Sequence, residues 1–159
     1  MKLNLEIVSR QRKIKVSKKR LSKIVRKIIK ILREYGELKK FNVENFHILT
    51  ISVVLIGNKK MKEINFKYRG KRSTTDVLSF PYLEANNNLK ELYLGEILID
   101  PLQAKIQAKN YGVSLWQEIT RLLIHGILHL IGYDHEVSAH EAKKMRRVEE
   151  KIFNLLKNF

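Results

Sequence analysis

The sequence contains no cysteine among its 159 residues and only two prolines. The absence of cysteine excludes disulfide bonds and thiolate metal ligands, and it fits a reducing compartment. No uninterrupted apolar run approaches the length of a membrane span, and the N-terminal stretch lacks the apolar core of a signal peptide. We therefore expect a soluble, cytoplasmic protein that does not act on a membrane.

Acidic residues are also scarce relative to basic ones. The chain has 32 lysines and arginines against 16 aspartates and glutamates, so its formal net charge is +16. Heat adaptation through ion pairs would raise the number of both kinds of charge together, but this chain has half as many acidic as basic residues. An excess of one sign indicates a polyanionic partner, with nucleic acid favoured over an acidic membrane surface.

The chain is long enough to bury one hydrophobic core, and no repeat, low-complexity tract or linker divides it. We expect a single domain over residues 1–159. Alternating and β-branched segments predict strands at residues 2–8, 46–56, 75–83 and 93–99. The predicted fold class is α+β, with a mixed sheet of about four strands and helices packed on it. The strand order does not follow from the pattern.

Capping residues and the helical spacing of apolar side chains predict five helices. They are residues 18–35 after Ser17, residues 59–68 after Asn58, residues 101–110 after Asp100, residues 115–131 after Ser114 with Gln117, and a last helix after Ser138 with Glu141. In the second helix, Met61, Ile64 and Tyr68 are expected to face inward.

The first predicted helix has one apolar face and one strongly basic face. The basic face consists of Lys18, Lys19, Arg20, Lys23, Arg26, Lys27, Lys30 and Arg33. A charged face is usually only the hydrated side of a helix, but charge of a single sign favours contact with phosphates. Binding to a membrane surface is the second possibility for such a face.

Three histidines lie close together between residues 125 and 135. His125 and His129 are four residues apart in an apolar helical run, so their imidazoles share one helix face. Gly132 can end this helix in a left-handed conformation, after which His135 can reach the same point. Burying three imidazoles without a partner would cost several times about 1–3 kcal/mol. We therefore expect a site for one zinc ion with an open fourth position.

Zinc held by histidines alone can activate water, because the pKa of bound water falls to about 7. Zinc proteases carry His-Glu-x-x-His, in which the glutamate is the general base. The residue after His125 is Gly126, so the usual protease base is missing, which counts against peptide hydrolysis.

Two nearby carboxylates could assist the metal ligands. Glu118 lies seven residues before His125, on nearly the same helix face, and could orient a ligand or act as a base. It could equally form an ion pair with Arg121. Asp134 could accept a hydrogen bond from an imidazole and fix its tautomer, or it could cap the turn.

Residues 68–76 concentrate positive charge and hydroxyl groups between a predicted helix and a predicted strand. Arg69 could bind a phosphate through its planar guanidinium group, and Lys71 and Arg72 lie next to it. By composition alone, these residues could equally form a hydrated basic loop.

Four blocks of the sequence form a recognisable pattern: Asn65–Arg69 (NFKYR), Thr75–Pro81 (TDVLSFP), Leu94–Ile97 (LGEI) and His125–His135 (HGILHLIGYDH). With these blocks the chain resembles the YbeY family, bacterial endoribonucleases of rRNA maturation. The order and spacing of the blocks agree with the family over nearly the whole chain. The chain departs from the common family pattern at Arg72, Thr74 and Glu96.

The resemblance implies one zinc ion held by His125, His129 and His135, and a functional Arg69 near the RNA phosphate. It also implies a role in rRNA end processing, above all of small-subunit rRNA, and in ribosome quality control. The small ribosomal subunit and ribosome-associated proteins are the implied partners, and Lys71 and Arg72 are expected to extend the contact with RNA.

Three functional hypotheses follow. The first is a zinc-dependent endoribonuclease that acts on single-stranded parts of structured RNA, with either a hydroxide or the RNA 2′-hydroxyl as nucleophile. The second is a non-catalytic RNA- or ribosome-binding factor whose zinc is structural. The third is a metalloprotease, which Gly126 opposes.

Overall fold

A mixed four-stranded sheet is the centre of the computed structural model, which describes residues 1–156. Its strands are β1 (Lys2–Ser9), β2 (Ile48–Leu55), β3 (Val77–Asn86) and β4 (Glu91–Ile99). Their order across the sheet is β1-β2-β4-β3. β1, β2 and β4 are parallel, whereas β3 pairs with β4 as an antiparallel hairpin. The predicted four-stranded α+β fold is confirmed, and the structure supplies the strand order.

The described residues also form six α-helices and one short 3-10 helix. They are α1 (Lys18–Glu34), α2 (Glu37–Lys40), α3 (Asn58–Arg69), α4 (Pro101–Tyr111), α5 (Leu115–Ile131), α6 (Ala139–Leu156) and the 3-10 helix Val43–Asn45. Ser17 and Asp100 cap α1 and α4 as predicted, and Ser114 forms a capping box with Gln117 at the start of α5. None of the helices in residues 1–156 combines the length and the apolar character that crossing a membrane requires.

The main hydrophobic core lies on one face of the sheet, beneath α1 and α5. α5 packs directly on β3 and β4 because Gly126 has no side chain at this interface. A Cβ atom at residue 126 would lie 3.0 Å from Ile97 Cγ2 and 3.2 Å from Ser79 Oγ. A smaller cluster around Met61 and Leu98 packs α3 against the sheet.

The start of α3 differs from the prediction. Gly57 is at the N-cap, and the Asn58 side chain makes no capping hydrogen bond. Its amide donates instead to Thr74 Oγ1 at 3.2 Å and to Asp100 Oδ2 at 3.4 Å. Asn58 therefore ties the segment before β3 to the start of α4, a contact that local sequence rules do not reveal.

The inner face of α3 was also predicted incorrectly at one position. Tyr68 is 61% exposed, and its ring packs edge-on against Phe80 at 5.2 Å. Met61 is buried as expected, but the other buried residue is Asn65, whose amide donates to the Ser73 carbonyl at 2.7 Å. The end of α3 extends beyond the apolar surface that it covers, so Tyr68 faces solvent.

Candidate metal centre

Three imidazoles meet at the C-terminal end of α5. His125 Nε2 lies 3.1 Å from His129 Nε2, and His129 Nε2 lies 2.9 Å from His135 Nδ1. The first two rings come from successive turns of the helix, and the third comes from the turn that follows it. One nitrogen from each ring lies within 4.8 Å of the other two, close enough to hold one metal ion.

The chain reverses after α5 because a glycine ends the helix. Gly132 has a φ of +127°, a conformation that L side chains rarely adopt. A Cβ atom there would also lie 2.6 Å from Phe41 Cδ1. The predicted glycine stop is therefore present, and it allows His135 to return to the helix face that carries His125 and His129.

The donor set fits a divalent cation. Tetrahedral ligands held at about 2.0–2.1 Å from zinc lie roughly 3.3 Å apart, close to the two observed nitrogen separations. Burial, together with repulsion from His125 and His135, lowers the pKa of His129 to about 4, although a hydrogen bond with the Tyr133 backbone acts in the opposite direction. His129 is therefore neutral at physiological pH, and the neutral imidazole is the form that binds metals.

Glu149 on α6 holds the outer nitrogen of His125. The Nδ1 atom of His125 lies 2.5 Å from Glu149 Oε1. If Nδ1 donates the proton, Nε2 is left without one and faces the other two rings. Glu149 was not predicted from the sequence, although it lies between the buried Met145 and Ile152 on the apolar stripe of α6. A carboxylate on the apolar stripe of an amphipathic helix is a signal that could have identified Glu149.

The two carboxylates predicted to assist the ligands are placed elsewhere. Glu118 is buried, and its oxygens accept hydrogen bonds from Arg121 and from Gln107 Nε2 at 3.0 Å. Asp134 Oδ1 accepts from the backbone amide of Glu136 at 2.9 Å. These contacts are the ion-pair and turn-capping alternatives, and a role of either carboxylate at the metal stays a prediction. Within residues 1–156, the carboxylate hydrogen-bonded to an imidazole is Glu149.

A cavity of about 440 Å³ opens beside the histidines. It is bounded by the end of α5, by β3 and by Arg69 at the end of α3. Arg69 Nη2 lies 2.7 Å from Glu136 Oε1, one residue after His135. The predicted phosphate-binding arginine and the three histidines therefore line one cleft.

The edge strand β3 adds an apolar wall to this cleft. The pairing of β3 with β4 is irregular between Pro81 and Glu84, and Leu83 within that irregularity has a φ of +53°. Phe80, Pro81 and Leu83 all line the cavity. The cleft therefore combines a polar floor with an apolar side.

Lys71 and Arg72 lie outside this lining. Among the described residues that border the cavity, Arg69 is present but these two are not. Both are exposed, and the Arg72 guanidinium carbon lies 5.3 Å from the centre of the Phe66 ring. The structure thus places them on the loop next to the cleft and leaves their contact with RNA a prediction.

Comparison with known proteins identifies the family. The sequence model described as Endoribonuclease YbeY matches residues 6–157. The chain belongs to the YbeY family. A protein named endoribonuclease YbeY from Thermodesulfovibrio yellowstonii is 52% identical over 159 residues, covering 99% of each chain. Another of that name from Sulfurihydrogenibium sp. is 42% identical over 154 residues, covering 97% of this chain and 90% of the relative.

A solved structure supports the fold. The solution structure of a protein from Thermotoga maritima gives a TM-score of 0.52 at 24% identity, and the match covers 98% of this chain and 93% of that one. At this level of identity the likeness concerns the fold alone.

In this YbeY family member, Tyr133 anchors the turn that carries His135. Its hydroxyl donates to Glu37 Oε2 at 2.5 Å in buried surroundings, and its ring lies 5.1 Å from that of Phe41. Burial and the neighbouring Glu37 carboxylate raise the pKa of the Tyr133 phenol, which keeps the hydroxyl protonated. The unpredicted helix α2 therefore supplies the acceptor that fixes this turn.

We expect Tyr133→Phe to lower the free energy of unfolding by about 1–3 kcal/mol, because the Glu37 carboxylate loses a donor while it remains largely buried. Chemical denaturation followed by circular dichroism measures the change. Tyr82→Phe, at a residue that is 48% exposed, is the control and should change stability by less than about 0.5 kcal/mol. Equal stability of Tyr133→Phe and the wild type would mean that this hydrogen bond does not stabilise the turn.

The YbeY-type site also makes a prediction for Glu149. Glu149→Gln should weaken metal binding by about 10- to 100-fold, because the His125 ring loses a charged acceptor that fixes its tautomer. Competition with a chromophoric chelator measures the affinity. Glu150→Gln removes an exposed carboxylate from the same helix and should leave the affinity unchanged. Matching affinities for both variants would contradict an orienting role for Glu149.

Proposed function

We propose that this chain is a zinc-dependent endoribonuclease that acts in rRNA maturation, above all in processing the ends of small-subunit rRNA, and in ribosome quality control. It would act as one metal-dependent hydrolase domain, in the cytoplasm, with the ribosomal small subunit and ribosome-associated proteins as partners. The observation that carries the proposal is one cleft lined by the His125, His129 and His135 imidazoles and by the Arg69 guanidinium. Relatives named endoribonuclease YbeY support it.

The three imidazoles would hold one zinc ion through His125 Nε2, His129 Nε2 and His135 Nδ1. Nitrogen ligands without thiolates suit zinc, and three protein ligands are typical of its catalytic sites. When bound, such an ion supplies Lewis acidity toward a phosphoryl oxygen and lowers the pKa of a bound water. Glu149, which contacts Nδ1 of His125, would keep this ring in the orientation that the coordination needs.

Arg69 would bind the phosphate next to the cleaved bond. Its guanidinium can donate two parallel hydrogen bonds to phosphate oxygens and neutralise the charge that develops there. Glu136 holds Arg69 in this structure at 2.7 Å, and the pair is solvent-accessible, with 36% and 61% of the two side chains exposed. A phosphate can therefore displace the Glu136 carboxylate at little cost. Lys71 and Arg72 would contact neighbouring phosphates from the adjoining loop.

The cleft suits an unpaired nucleotide better than a duplex. A volume of about 440 Å³ is within the range of about 300–1,000 Å³ that is typical of small-molecule sites. Phe80 offers an aromatic ring on the apolar side, where an unstacked base can pack. These features support cleavage in single-stranded parts of structured RNA.

The structure gives a reason to disfavour peptide hydrolysis. The position of the glutamate in His-Glu-x-x-His is Gly126, and this residue packs against Ile97 and Ser79. A glutamate there would collide with the sheet, so this packing leaves no room for the general base of a zinc protease.

The proposal is tested with a transcript that contains the 3′ end of small-subunit rRNA and its flanking precursor sequence. We expect the purified protein to cut this RNA internally, to lose activity after treatment with a chelator, and to regain it when zinc is added. A 2′,3′-cyclic phosphate at the new end would identify the RNA 2′-hydroxyl as nucleophile, and a 5′-phosphate would identify water. Absence of cleavage with zinc present would favour a non-catalytic RNA-binding factor.

A further inference from the structure

The positive charge of this protein is concentrated in one segment. Residues 10–33 contain twelve lysines and arginines and no acidic residue. The remaining 135 residues contain twenty basic and sixteen acidic residues. Most of the net charge of +16 therefore comes from α1 and the stretch that leads into it.

In the folded chain, this charge covers the outer side of α1. Between Lys18 and Arg33, every residue that is exposed is a lysine or an arginine, and we refer to these residues as the basic face. The one carboxylate on α1 is Glu34 at its end, which lies 3.7 Å from Lys30. A rise of 1.5 Å per residue makes the basic face about 22 Å long, which is enough to follow several phosphates.

The fold disfavours a membrane as the partner of the basic face, because α1 cannot insert into one. An amphipathic helix binds a membrane by inserting its apolar side among the lipids. The apolar side of α1 is already in the protein core, since Leu21, Val25 and Ile28 have no exposed surface. The basic face therefore offers charge without an apolar anchor.

The basic face also lacks the features that bind single-stranded RNA. Proteins that bind single strands present aromatic rings on which bases stack, and α1 contains no aromatic residue. The neighbouring Trp116 ring is covered by the Arg20 guanidinium, whose carbon lies 4.3 Å from the ring centre. The exposed Tyr35 ring lies only at the end of the helix, where Lys151 covers it. A row of cations with no aromatic ring among them suits the backbone of double-stranded RNA, which proteins recognise through shape and phosphates.

α6 connects the basic face to the metal centre. It packs against both α1 and α5, and its Glu149 contacts His125. Lys151 Nζ lies 3.6 Å from the centre of the Tyr35 ring at the end of α1. Five of the ten exposed residues of α6 are lysine or arginine, and one, Glu150, is acidic; the basic ones are Lys143, Lys144, Arg146, Arg147 and Lys151. Positive charge therefore continues from α1 over α6 toward the cleft.

We propose that the basic face of α1 binds the phosphate backbone of a double-stranded RNA stem while the cleft receives the adjoining single strand. The part of this proposal that concerns the cleft rests on the proposed function, but binding of the stem can be measured without cleavage. The substrate would then be a stem with a single-stranded extension rather than unpaired RNA alone.

The test compares two variants of equal net charge. Lys19→Gln, Lys23→Gln and Lys30→Gln together remove three cations from one strip of the basic face. Lys59→Gln, Lys105→Gln and Lys109→Gln together remove three exposed lysines from α3 and α4. Glutamine preserves helix propensity, and thermal melting checks that both variants fold. Fluorescence anisotropy over a salt series measures binding to a hairpin of about twenty base pairs with a 3′ extension, and to the extension alone.

We expect the α1 variant to bind the hairpin about tenfold more weakly or worse, with the slope of log K against log salt reduced by about 2–3. The control variant should bind within about twofold of the wild type, and neither triple substitution should alter binding of the extension alone. An equal loss in both variants, or an unchanged salt slope in the α1 variant, would overturn the proposal. It would also be overturned if wild-type protein bound phosphatidylserine vesicles through these lysines while hairpin binding was unaffected.

Cleavage assays separate this proposal from the proposed function. If wild-type protein cuts no RNA but the α1 variant loses hairpin binding, the stem-binding surface is supported and the nuclease proposal fails. If the extension is cut in a zinc-dependent manner but hairpin binding does not depend on α1, the nuclease proposal stands and the stem-binding surface is refuted.

Discussion

His129→Ala is expected to abolish metal binding and to reduce RNA cleavage by about a thousandfold or more. His129 Nε2 is the atom that approaches both other ligand nitrogens, at 3.1 and 2.9 Å, so its removal opens the centre of the cluster. A catalytic metal contributes several kcal/mol to transition-state stabilisation, and about 1.4 kcal/mol corresponds to a factor of ten in rate. Elemental analysis of the purified variant and cleavage of the rRNA transcript measure the two losses.

His47→Ala is the matched control for this prediction. His47 is exposed and lies just before β2, so the variant should keep its metal and its activity. Loss of the metal without loss of cleavage in His129→Ala would show that the measured activity does not arise in this cleft. A metal that persisted in His129→Ala would show that the three imidazoles do not form the binding site.

Arg69→Ala is expected to lower kcat/KM for RNA cleavage by about 100- to 1,000-fold while metal content stays unchanged. This expected loss is based on comparable groups that stabilise negative charge in a transition state. Removing one such group raises the activation free energy by about 2.7–4 kcal/mol. Stability should hardly change, because the Arg69–Glu136 ion pair is exposed to solvent and such pairs contribute little. Steady-state cleavage kinetics, metal analysis and thermal unfolding measure the three quantities.

Two further variants make the Arg69 prediction specific. Arg69→Lys keeps the charge but loses the planar arrangement of donors, so it should recover only part of the activity. Arg72→Ala removes a cation from the same loop but outside the cleft lining, and it should have a much smaller effect. If Arg69→Ala and Arg72→Ala cleave equally, the loop binds RNA through its overall charge, and Arg69 has no special role at the reaction.

His129→Ala and Arg69→Ala together also distinguish a nuclease from an RNA-binding factor. A nuclease of the proposed kind loses its metal in His129→Ala and loses activity without losing metal in Arg69→Ala. If wild type and both variants release the same low level of cut RNA, a contaminant is responsible, and the chain is better described as an RNA-binding factor with a structural metal.

Much of the fold was predictable because its signals are local. Alternating and β-branched segments located the four strands, and caps at Ser17, Asp100 and Ser114 located three helix starts to within a residue or two. The same rules failed at Asn58 and Tyr68, where a distant partner and the limited extent of the apolar surface decided the outcome. α2 has only four residues, which is too short for a periodic pattern to predict.

The residues of the candidate site also fall into those that local signals predicted and those that only distant contacts decided. Spacing along one helix and a glycine stop indicated the histidine cluster, because both depend on neighbours in the chain. Glu149 lies 24 residues from His125, and no local rule pairs two residues at that distance. For Glu118, spacing allowed both a role at the metal and an ion pair, and only the tertiary structure shows its contacts with Arg121 and Gln107.

The sequence by itself therefore determined the four strands, the five longer helices, the three imidazoles and the excess of positive charge, because each depends on residue type and short-range spacing. Only the tertiary structure decided the strand order, the carboxylate that orients His125, the shared cleft of Arg69 with the histidines, and the burial of the apolar side of α1. These features depend on which distant surfaces pack together. The packing minimises exposed apolar area over the whole chain, and a local pattern does not contain that information.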